Sequence, residues 1–566
     1  MPKFKVSQEI NLPDIPFPFR WIPSENAADD IKLAVQKRTE MTVERLCWVL
    51  RNAPRSNSIR DYISSFDVSM VRSNLSTNLN GHNPLFYAVA SMHVDVVGLL
   101  VGLGGDINVA LPSRPGLSIP LIAFAALEGW CRLRRHQGTE MIRKLLALGA
   151  DHELIPRDMW EDYIRAPAKL APPGALPPKA TWCSGRIRIA LAKALNLTDR
   201  YLLFTAEEYK SPSRLQSQIL SDTQSKSLFE LPFYVVAQRY AIERIQKSLM
   251  SHIVVQDRRP LVLIFGGPSG HGKTELARQI KDLLNVSFHN VNCTDMKFNN
   301  DIFGPHAPYK GYEDGSPLNN FLADRNGNRA VVLLDEFEKT SQEVHHTLLR
   351  PFDEGIYQDR RNGDNVGCKN MIFIMTTNLF DDEITAFYNN HLAKKSHTER
   401  KNVNGTIYRE LQSRLRQKMR QRFGVPLAGR IREIVPFFPF SPTEFPVVSH
   451  KNILKLSDSL YPPPDKDNKR YLGKIHIEVV DEEAVCQNIV YDSQEGARSI
   501  ERDIEDKIRN GVLDLYLDRD DSLENIAKSP LMNMEVTIEP NDGDRKMIIV
   551  RDNGTISAPR EFPLSF

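Results

Sequence analysis

Apolar positions recur along this chain with two different periods. Three short runs, Leu261–Phe265, Ala330–Leu334 and Met371–Met375, are apolar without interruption, and each gives way to a glycine or polar residue. Such runs predict strands buried on both faces of a parallel sheet. Behind the first run, Leu276, Ile280 and Leu284 fall on one face of a helix over Glu275–Leu284. Leu411, Leu415, Met419 and Phe423 recur every four residues and predict a second amphipathic helix. Towards the C-terminus, Met534–Ile538 and Met547–Val550 alternate as strands do, separated by Asn541–Asp544. They predict a small three-stranded cap. The chain therefore contains an α/β core followed by a smaller α+β element.

The N-terminal third has a helical pattern that repeats. In Asn80–Asn108 a turn leads to Pro84 and Leu85, a short helix carries Ala88 and Ala90, and a second carries Val96, Val97, Leu99 and Leu100. Gly104, Gly105 and Asp106 close the unit. Ile119–Ala126 repeats the first helix and Met141–Asp151 the second, with an insertion expected around Trp130–Gly138. This form resembles an ankyrin repeat, whose period is about 33 residues. A generic helical bundle is the alternative. Two such units cannot bury their faces alone, so Thr42–Leu50 and Pro156–Ile164 are expected to supply flanking helices. Ankyrin arrays have no chemistry of their own, so the resemblance implies a module for binding a protein partner.

Around this region lie segments with less pattern. Residues 1–40 include LPDIPFPFRWIP, which reads as irregular chain, packed on a neighbour or used for recognition. Ala166–Ala180 is proline-rich and reads as a semi-rigid spacer. After it, Arg186–Leu195 is helical and a polar Ser/Gln-rich stretch follows. The expected division is 1–40 irregular, 41–165 repeat region, 166–230 linker, 231–440 large nucleotide domain and 441–566 small lid.

Composition excludes several classes. With 41% hydrophobic and 25% charged residues the chain is that of an ordinary globular protein. A net charge of +2 draws it to neither nucleic acid nor a membrane surface. Lys394–Arg422 is basic, but its apolar spacing makes it a helix with a solvated face. Six scattered cysteines without a C-x-x-C pair fit neither a zinc site nor a disulfide framework. No apolar run approaches the roughly 18 residues of a membrane span. The start of the chain carries Glu9, Asp14, Glu25, Asp29 and Asp30, which suits the cytosol or nucleus better than a mitochondrial presequence.

The chemistry concentrates after the first apolar run. Gly267, Pro268, Ser269, Gly270, His271, Gly272, Lys273 and Thr274 fit the phosphate-loop pattern in full. Glycines let backbone N–H groups curl around phosphate oxygens at a helix N-terminus, where an anion is favoured. Lys273 adds charge beside the β- and γ-phosphates of ATP, and the Thr274 hydroxyl is a Mg²⁺ ligand. Asp335 and Glu336 end the second run, one placed for the Mg²⁺ shell and the other to deprotonate an attacking water. Asn378 follows the third, where a strand end faces ligand in open parallel sheets.

These motifs, with FGPHAPYKGYEDGS, LLRPFDEG and Gly496-Ala497-Arg498 in the same order, resemble the second ATPase module of the ClpB disaggregases, Clp-type members of the AAA+ family. The likeness covers roughly 230–520, and ankyrin repeats joined to one such module resemble the animal mitochondrial members. It implies a hexameric ring that hydrolyses ATP and remodels polypeptide substrates. Val235 and Val236 would contact adenine, Arg430 would be the arginine finger in trans, Arg498 sensor 2, and Tyr309 the pore residue that grips polypeptide. The chain departs from the family pattern at Pro308, Lys310, Gly429 and Arg432, and between Asp359 and Lys369. An ATP-dependent switch that binds a partner without threading is the alternative. An immune-type ankyrin NTPase receptor fits the pore loop and the Gly-Ala-Arg motif less well.

Overall fold

A computed structural model describes residues 41–53, 56–79, 82–114, 117–167, 176–209, 212–223, 225–255, 257–396, 399–400, 402–460, 471–519, 531–540 and 546–556. The expected irregular segment 1–40, most of the proline-rich spacer and the Asn541–Asp544 turn lie outside these residues. Two compact units account for the chain. One holds the chain up to Lys210 together with Pro446–Ile489 and Arg502–Phe566, and the other holds Ser211–Phe445 with Val490–Glu501.

The first unit begins with helices Val43–Asn52, Ser56–Ser64 and Val68–Leu75, followed by two helical pairs. Pro84–Ala90 is capped by the Asn83 side chain, which accepts from Leu85 N–H at 3.0 Å, and is followed by Val94–Gly102. Leu121–Cys131 pairs with Arg135–Ala147. Phe86 and Phe124 meet edge to face at 5.3 Å, so successive first helices stack. The expected insertion around Trp130–Gly138 is taken up as helix: Leu121–Cys131 and Arg135–Ala147 run 11 and 13 residues, against 7 and 9 in Pro84–Ala90 and Val94–Gly102. Trp130 and Cys131 end one helix, Arg135 begins the next, and a Cβ on Gly129 would lie 2.7 Å from the Gly138 Cα. A hairpin of β1 (Ala110–Arg114) and β2 (Leu117–Pro120) joins the two helical pairs. A helix, Val43–Asn52, lies where Thr42–Leu50 is expected to supply one, and the Thr42 side chain caps it. Pro156–Ile164 holds only a short 3₁₀ turn at Arg157–Met159, with Met159 and Trp160 buried.

The second unit is built on a five-stranded sheet. Its strands are β3 (Leu261–Gly266), β4 (Ser287–Asn292), β5 (Ala330–Asp335), β8 (Ile372–Thr377) and β9 (Glu433–Pro436), in the order β4-β5-β8-β3-β9. A short antiparallel pair outside this sheet, β6 (Ile356–Gln358) and β7 (Asn365–Gly367), precedes β8. Every pairing within the five-stranded sheet is parallel. The three apolar runs become β3, β5 and β8, the middle of the sheet, where β3 and β8 are buried at every position. Strands buried on both faces need no polar alternation. β4 reads Ser-Phe-His-Asn-Val-Asn, and only Val291 is buried in it, as an edge position allows. Because the strands are parallel and in register, their carboxyl ends converge: Gly266 pairs with Thr377, and Leu334 with Met375. The second expected helix spans Gly405–Ala428, bends at Gly424 and buries Leu411, Leu415, Met419 and Phe423.

The stretch 166–230, expected to be a linker with a helical part, holds more helix than that among its described residues. Helices Gly185–Ala194 and Leu197–Glu208 lie within it, and the second opens with a reciprocal cap between Asn196 and Asp199. Arg200 is 2% exposed and donates to the carbonyls of Tyr163 and Leu195 at 3.0 and 2.8 Å. It also pairs with Glu482 at 3.4 Å, and Glu482 accepts from Leu197 N–H at 2.7 Å. Thr198 bonds His450 Nδ1 at 2.8 Å. The first unit thus joins N-terminal helices to the C-terminal elements through buried polar contacts. Those elements include β10 (Ile475–Val479), β11 (Leu531–Pro540) and β12 (Lys546–Ile556), a three-stranded sheet in that order. The expected single lid over 441–566 is therefore divided: 490–501 belongs with the five-stranded sheet.

Candidate nucleotide site

The loop after β3 is shaped by its glycines. Gly267, Gly270 and Gly272 have φ of +136°, +73° and +89°, the region that side chains avoid. Crowding forbids a side chain as well. A Cβ would lie 2.3 Å from the Phe437 carbonyl oxygen at Gly267 and 2.0 Å from that of Glu495 at Gly270. Gly272 caps the helix Lys273–Leu284 with no side-chain partner for its first N–H groups. Those orphan donors and the helix dipole point a positive end at the loop.

Lys273 is buried at the base of this loop. Its Nζ donates to the Gly267 carbonyl, to the Pro268 carbonyl at 3.1 Å and to Asn378 Oδ1 at 2.6 Å. All three partners are uncharged. Burial lowers its pKa to about 8, against the pull of Asp381, Glu338 and Asp335. A buried ammonium with neutral partners suits an incoming polyanion.

Thr274 Oγ1 donates to Asp335 Oδ1 at 3.2 Å, and Thr376 Oγ1 donates to the same oxygen. The hydroxyl and carboxylate expected to hold Mg²⁺ are thus adjacent, one from the loop and one from the end of β5. Glu336, the next residue, has φ of +56°. A non-glycine residue held there is strained, and such strain gathers at functional sites. Its N–H donates to Thr376 Oγ1 at 3.0 Å, and its carboxylate accepts from Thr294 Oγ1 at 3.0 Å. Asn378 is fixed from both sides, since its N–H donates to Glu338 Oε1 at 3.1 Å.

Arg498 Nη1 donates to the Ser269 hydroxyl at 2.9 Å, and Ala497 N–H to the Gly270 carbonyl at 2.9 Å. The Gly-Ala-Arg segment therefore touches the phosphate loop directly. Val235 is buried, with Cγ1 3.4 Å from where a Gly272 Cβ would stand, while Val236 is only half-buried. Two other expected residues stand apart from this cluster. Arg430 donates to the Pro426 carbonyl at 2.6 Å and to Asp353 Oδ2 at 2.9 Å, with no bond to the phosphate loop among the described residues. Tyr309 is 70% exposed, in the loop between helices Asn299–Phe303 and Pro317–Asp324.

Several contributors carry no mark in the sequence. Thr294 and Thr376 orient the two acids, yet nothing distinguishes them beyond their position at strand ends. Glu338 and Asp381 each keep a buried carboxylate oxygen without a hydrogen-bond partner. Burial raises the Asp381 pKa to about 6. The site as a whole fits a nucleoside triphosphate with a divalent cation, on the neutral-partnered Lys273 and the paired oxygens of Thr274 and Asp335.

Residues 258–434 match the family model of the AAA domain (Cdc48 subfamily). The chaperone protein ClpB of Chlamydia caviae is 34% identical over 216 residues, which are 37% of this chain and 23% of that protein. The mitochondrial disaggregase of Homo sapiens is 28% identical over 282 residues, 46% of this chain and 38% of that protein. Among solved structures, the S. cerevisiae Hsp104:casein complex in its extended conformation aligns with a TM-score of 0.44 and 19% identity, over 65% of this chain and 62% of that one. The chain spans less than half the length of these ClpB and disaggregase relatives.

Proposed function

We propose that this chain is an ATP-driven protein-remodelling enzyme. The observation that carries the proposal is the convergence of Lys273, Thr274, Asp335, Glu336, Asn378 and Arg498 around one loop. Mg²⁺, held by Thr274 and Asp335, would neutralise charge on the phosphates. Lys273 binds the β- and γ-phosphates, exchanging its carbonyl partners for phosphate oxygens. Asn378 keeps its hold on Lys273 and positions water near the γ-phosphate. Glu336, aimed by Thr294, takes the proton of that water as it attacks, and ADP and phosphate are the products. Arg430, clamped by Asp353, would complete the site of a neighbouring copy in a hexameric ring. The exposed Tyr309 would contact polypeptide in its pore, since an aromatic ring packs against any side chain.

The N-terminal helical pairs are proposed to be divergent ankyrin repeats that hold a substrate or protein adaptor. The Asn83-capped turn, stacked first helices and a connecting hairpin support that reading. The proposed compartment is a reducing one, cytosol, nucleus or mitochondrial matrix alike, because all six cysteines are free thiols. MgATP binding and turnover test the nucleotide site. Lys273→Ala should abolish binding, and Glu336→Gln should bind while turning over at least about 100-fold more slowly. Equal turnover in Glu336→Gln would contradict the assignment of the base.

One observation favours a second reading, a nucleotide-dependent switch. The N-terminal helices and much of the lid share one compact unit, so a partner held by the former would act on the latter without any threading. Partner affinity that changes with nucleotide, and polypeptide that leaves turnover unchanged, would select the switch.

A further inference from the structure

His271 sits inside the phosphate loop yet faces away from solvent entirely, at 0% exposure. Its Nδ1 lies 3.2 Å from the Pro268 carbonyl oxygen, and its Nε2 lies 3.1 Å from the Tyr491 hydroxyl. The same hydroxyl accepts from Phe440 N–H at 2.8 Å. The protons in this chain of bonds can be assigned. A backbone N–H only donates, so the Tyr491 oxygen is an acceptor towards Phe440. A carbonyl only accepts, so His271 must donate to Pro268 from Nδ1. The neutral ring then has its lone pair on Nε2, which leaves the Tyr491 hydroxyl to donate there. Burial keeps the ring neutral by lowering its pKa to about 4. One direction satisfies every partner: Phe440 N–H to Tyr491, Tyr491 O–H to His271, His271 Nδ1–H to Pro268.

The relay ends on the oxygen that also accepts from Lys273 Nζ at 3.1 Å. We infer that His271 and Tyr491 are positioning residues for nucleotide binding, fixing the Pro268 carbonyl and, through it, the ammonium of Lys273. The relay is a third link between the phosphate loop and segment 490–501, beside the contacts of Arg498 with Ser269 and of Ala497 with Gly270. The side-chain links differ in where they end. Arg498 holds a side chain at the outer part of the loop, whereas Tyr491 acts through the loop backbone on the lysine itself. Ring packing holds the donor in place, since Tyr491 stacks on Phe445 at 5.4 Å and His271 lies 4.9 Å from Phe440. Tyr491→Phe would therefore keep the packing and remove only the hydroxyl. This inference rests on the reading of the loop as an ATP site.

The test is a double-mutant cycle on the full chain, titrated with a fluorescent ATP analogue and Mg²⁺. The variants are Tyr491→Phe, His271→Val and the pair, with Lys273→Ala as control. Each single change should weaken binding about fivefold to tenfold, the range of one net hydrogen bond. The pair should be no weaker than the weaker single, because both break one relay. In ¹⁵N spectra the wild-type imidazole should be the Nδ1–H tautomer, a signature that packing alone would not set. Affinities within twofold of wild type in both singles, or an Nε2–H tautomer in wild type, would overturn the inference. Binding that survives Lys273→Ala would instead remove the nucleotide reading beneath it. If His271→Val does not fold, Tyr491→Phe and the tautomer decide alone.

Discussion

Arg498 and Ser269 stand 229 positions apart in sequence, and the guanidinium donates to the hydroxyl at 2.9 Å. The contact explains how a residue far along the chain reports on the phosphate loop. A hydroxyl is a weak partner for a guanidinium, and a phosphate oxygen is a stronger one. Arg498→Ala should therefore reduce turnover at least about tenfold. Ser269→Ala should stay within about threefold of wild type, because it removes only the weaker partner. Steady-state kcat and KM for ATP in both variants check this, and an equal loss in the two would contradict it.

Gly270 offers a test of loop geometry independent of any charge. Its φ of +73° is one objection to a side chain, and the Glu495 carbonyl oxygen, 2.0 Å from where a Cβ would stand, is a second. Gly270→Ala should displace the loop from segment 490–501 and lower ATP affinity at least about fivefold, an effect of order 1–3 kcal/mol. Gly311, also at positive φ but with nothing near its Cβ position, is the control. Gly311→Ala should leave ATP affinity unchanged in the same titration.

The strand–loop–helix around Lys273 is legible in the sequence because an uninterrupted apolar run, a glycine turn and a helical spacing occur in succession. Each is a local property of the chain. Asp335, Glu336 and Asn378 are legible for the same reason, as the polar ends of apolar strands. Thr294, Thr376 and Tyr491 are not, because their roles come from which strand ends and segments the fold brings together. The helix Leu197–Glu208 is obscured by its own polarity. Asp199 and Arg200 look like surface residues in sequence, yet both are buried, and the partners that make burial tolerable include Glu482, far along the chain. The insertion around 130–138 has a similar origin, since it lengthens both helices and the close approach of Gly129 and Gly138 keeps the turn between them short.

The buried polar network of the first unit should make its stability dependent on acid. Burial lowers the pKa of both His450 and His476 to about 4. Near the first lie Glu482, Arg200 and Arg135, and near the second Arg135 and Glu478. An unfolded imidazole titrates near 6.5, so the unfolded chain binds more protons between these values. Their contribution is complete above about pH 6.5 and is lost as pH falls towards 4, up to about 3 kcal/mol each. Burial raises the Glu482 pKa, but His450, Arg200 and Arg135 outweigh it and hold the group below its ordinary value. Its contribution is likewise lost in acid. Denaturant midpoints at pH 7.5 and about pH 5 should differ accordingly, and a midpoint that rises in acid would contradict the assignment.

Removing one partner of that network should cost more than any surface change. Glu482→Ala leaves Arg200 buried without its carboxylate, a loss of about 3–5 kcal/mol. Arg165→Ala, which removes an exposed partner of Glu483, should cost less than about 1 kcal/mol. Equilibrium unfolding of the two variants separates the cases.

Protein remodelling requires that ATP turnover at Lys273 and Glu336 be coupled to polypeptide. Steady-state ATP turnover with and without an unfolded test polypeptide, in wild type and in Tyr309→Ala, measures that coupling. Wild type should be stimulated, and the variant should keep its basal rate with the stimulation gone. Turnover indifferent to polypeptide in wild type, or stimulated equally in Tyr309→Ala, would contradict the coupling.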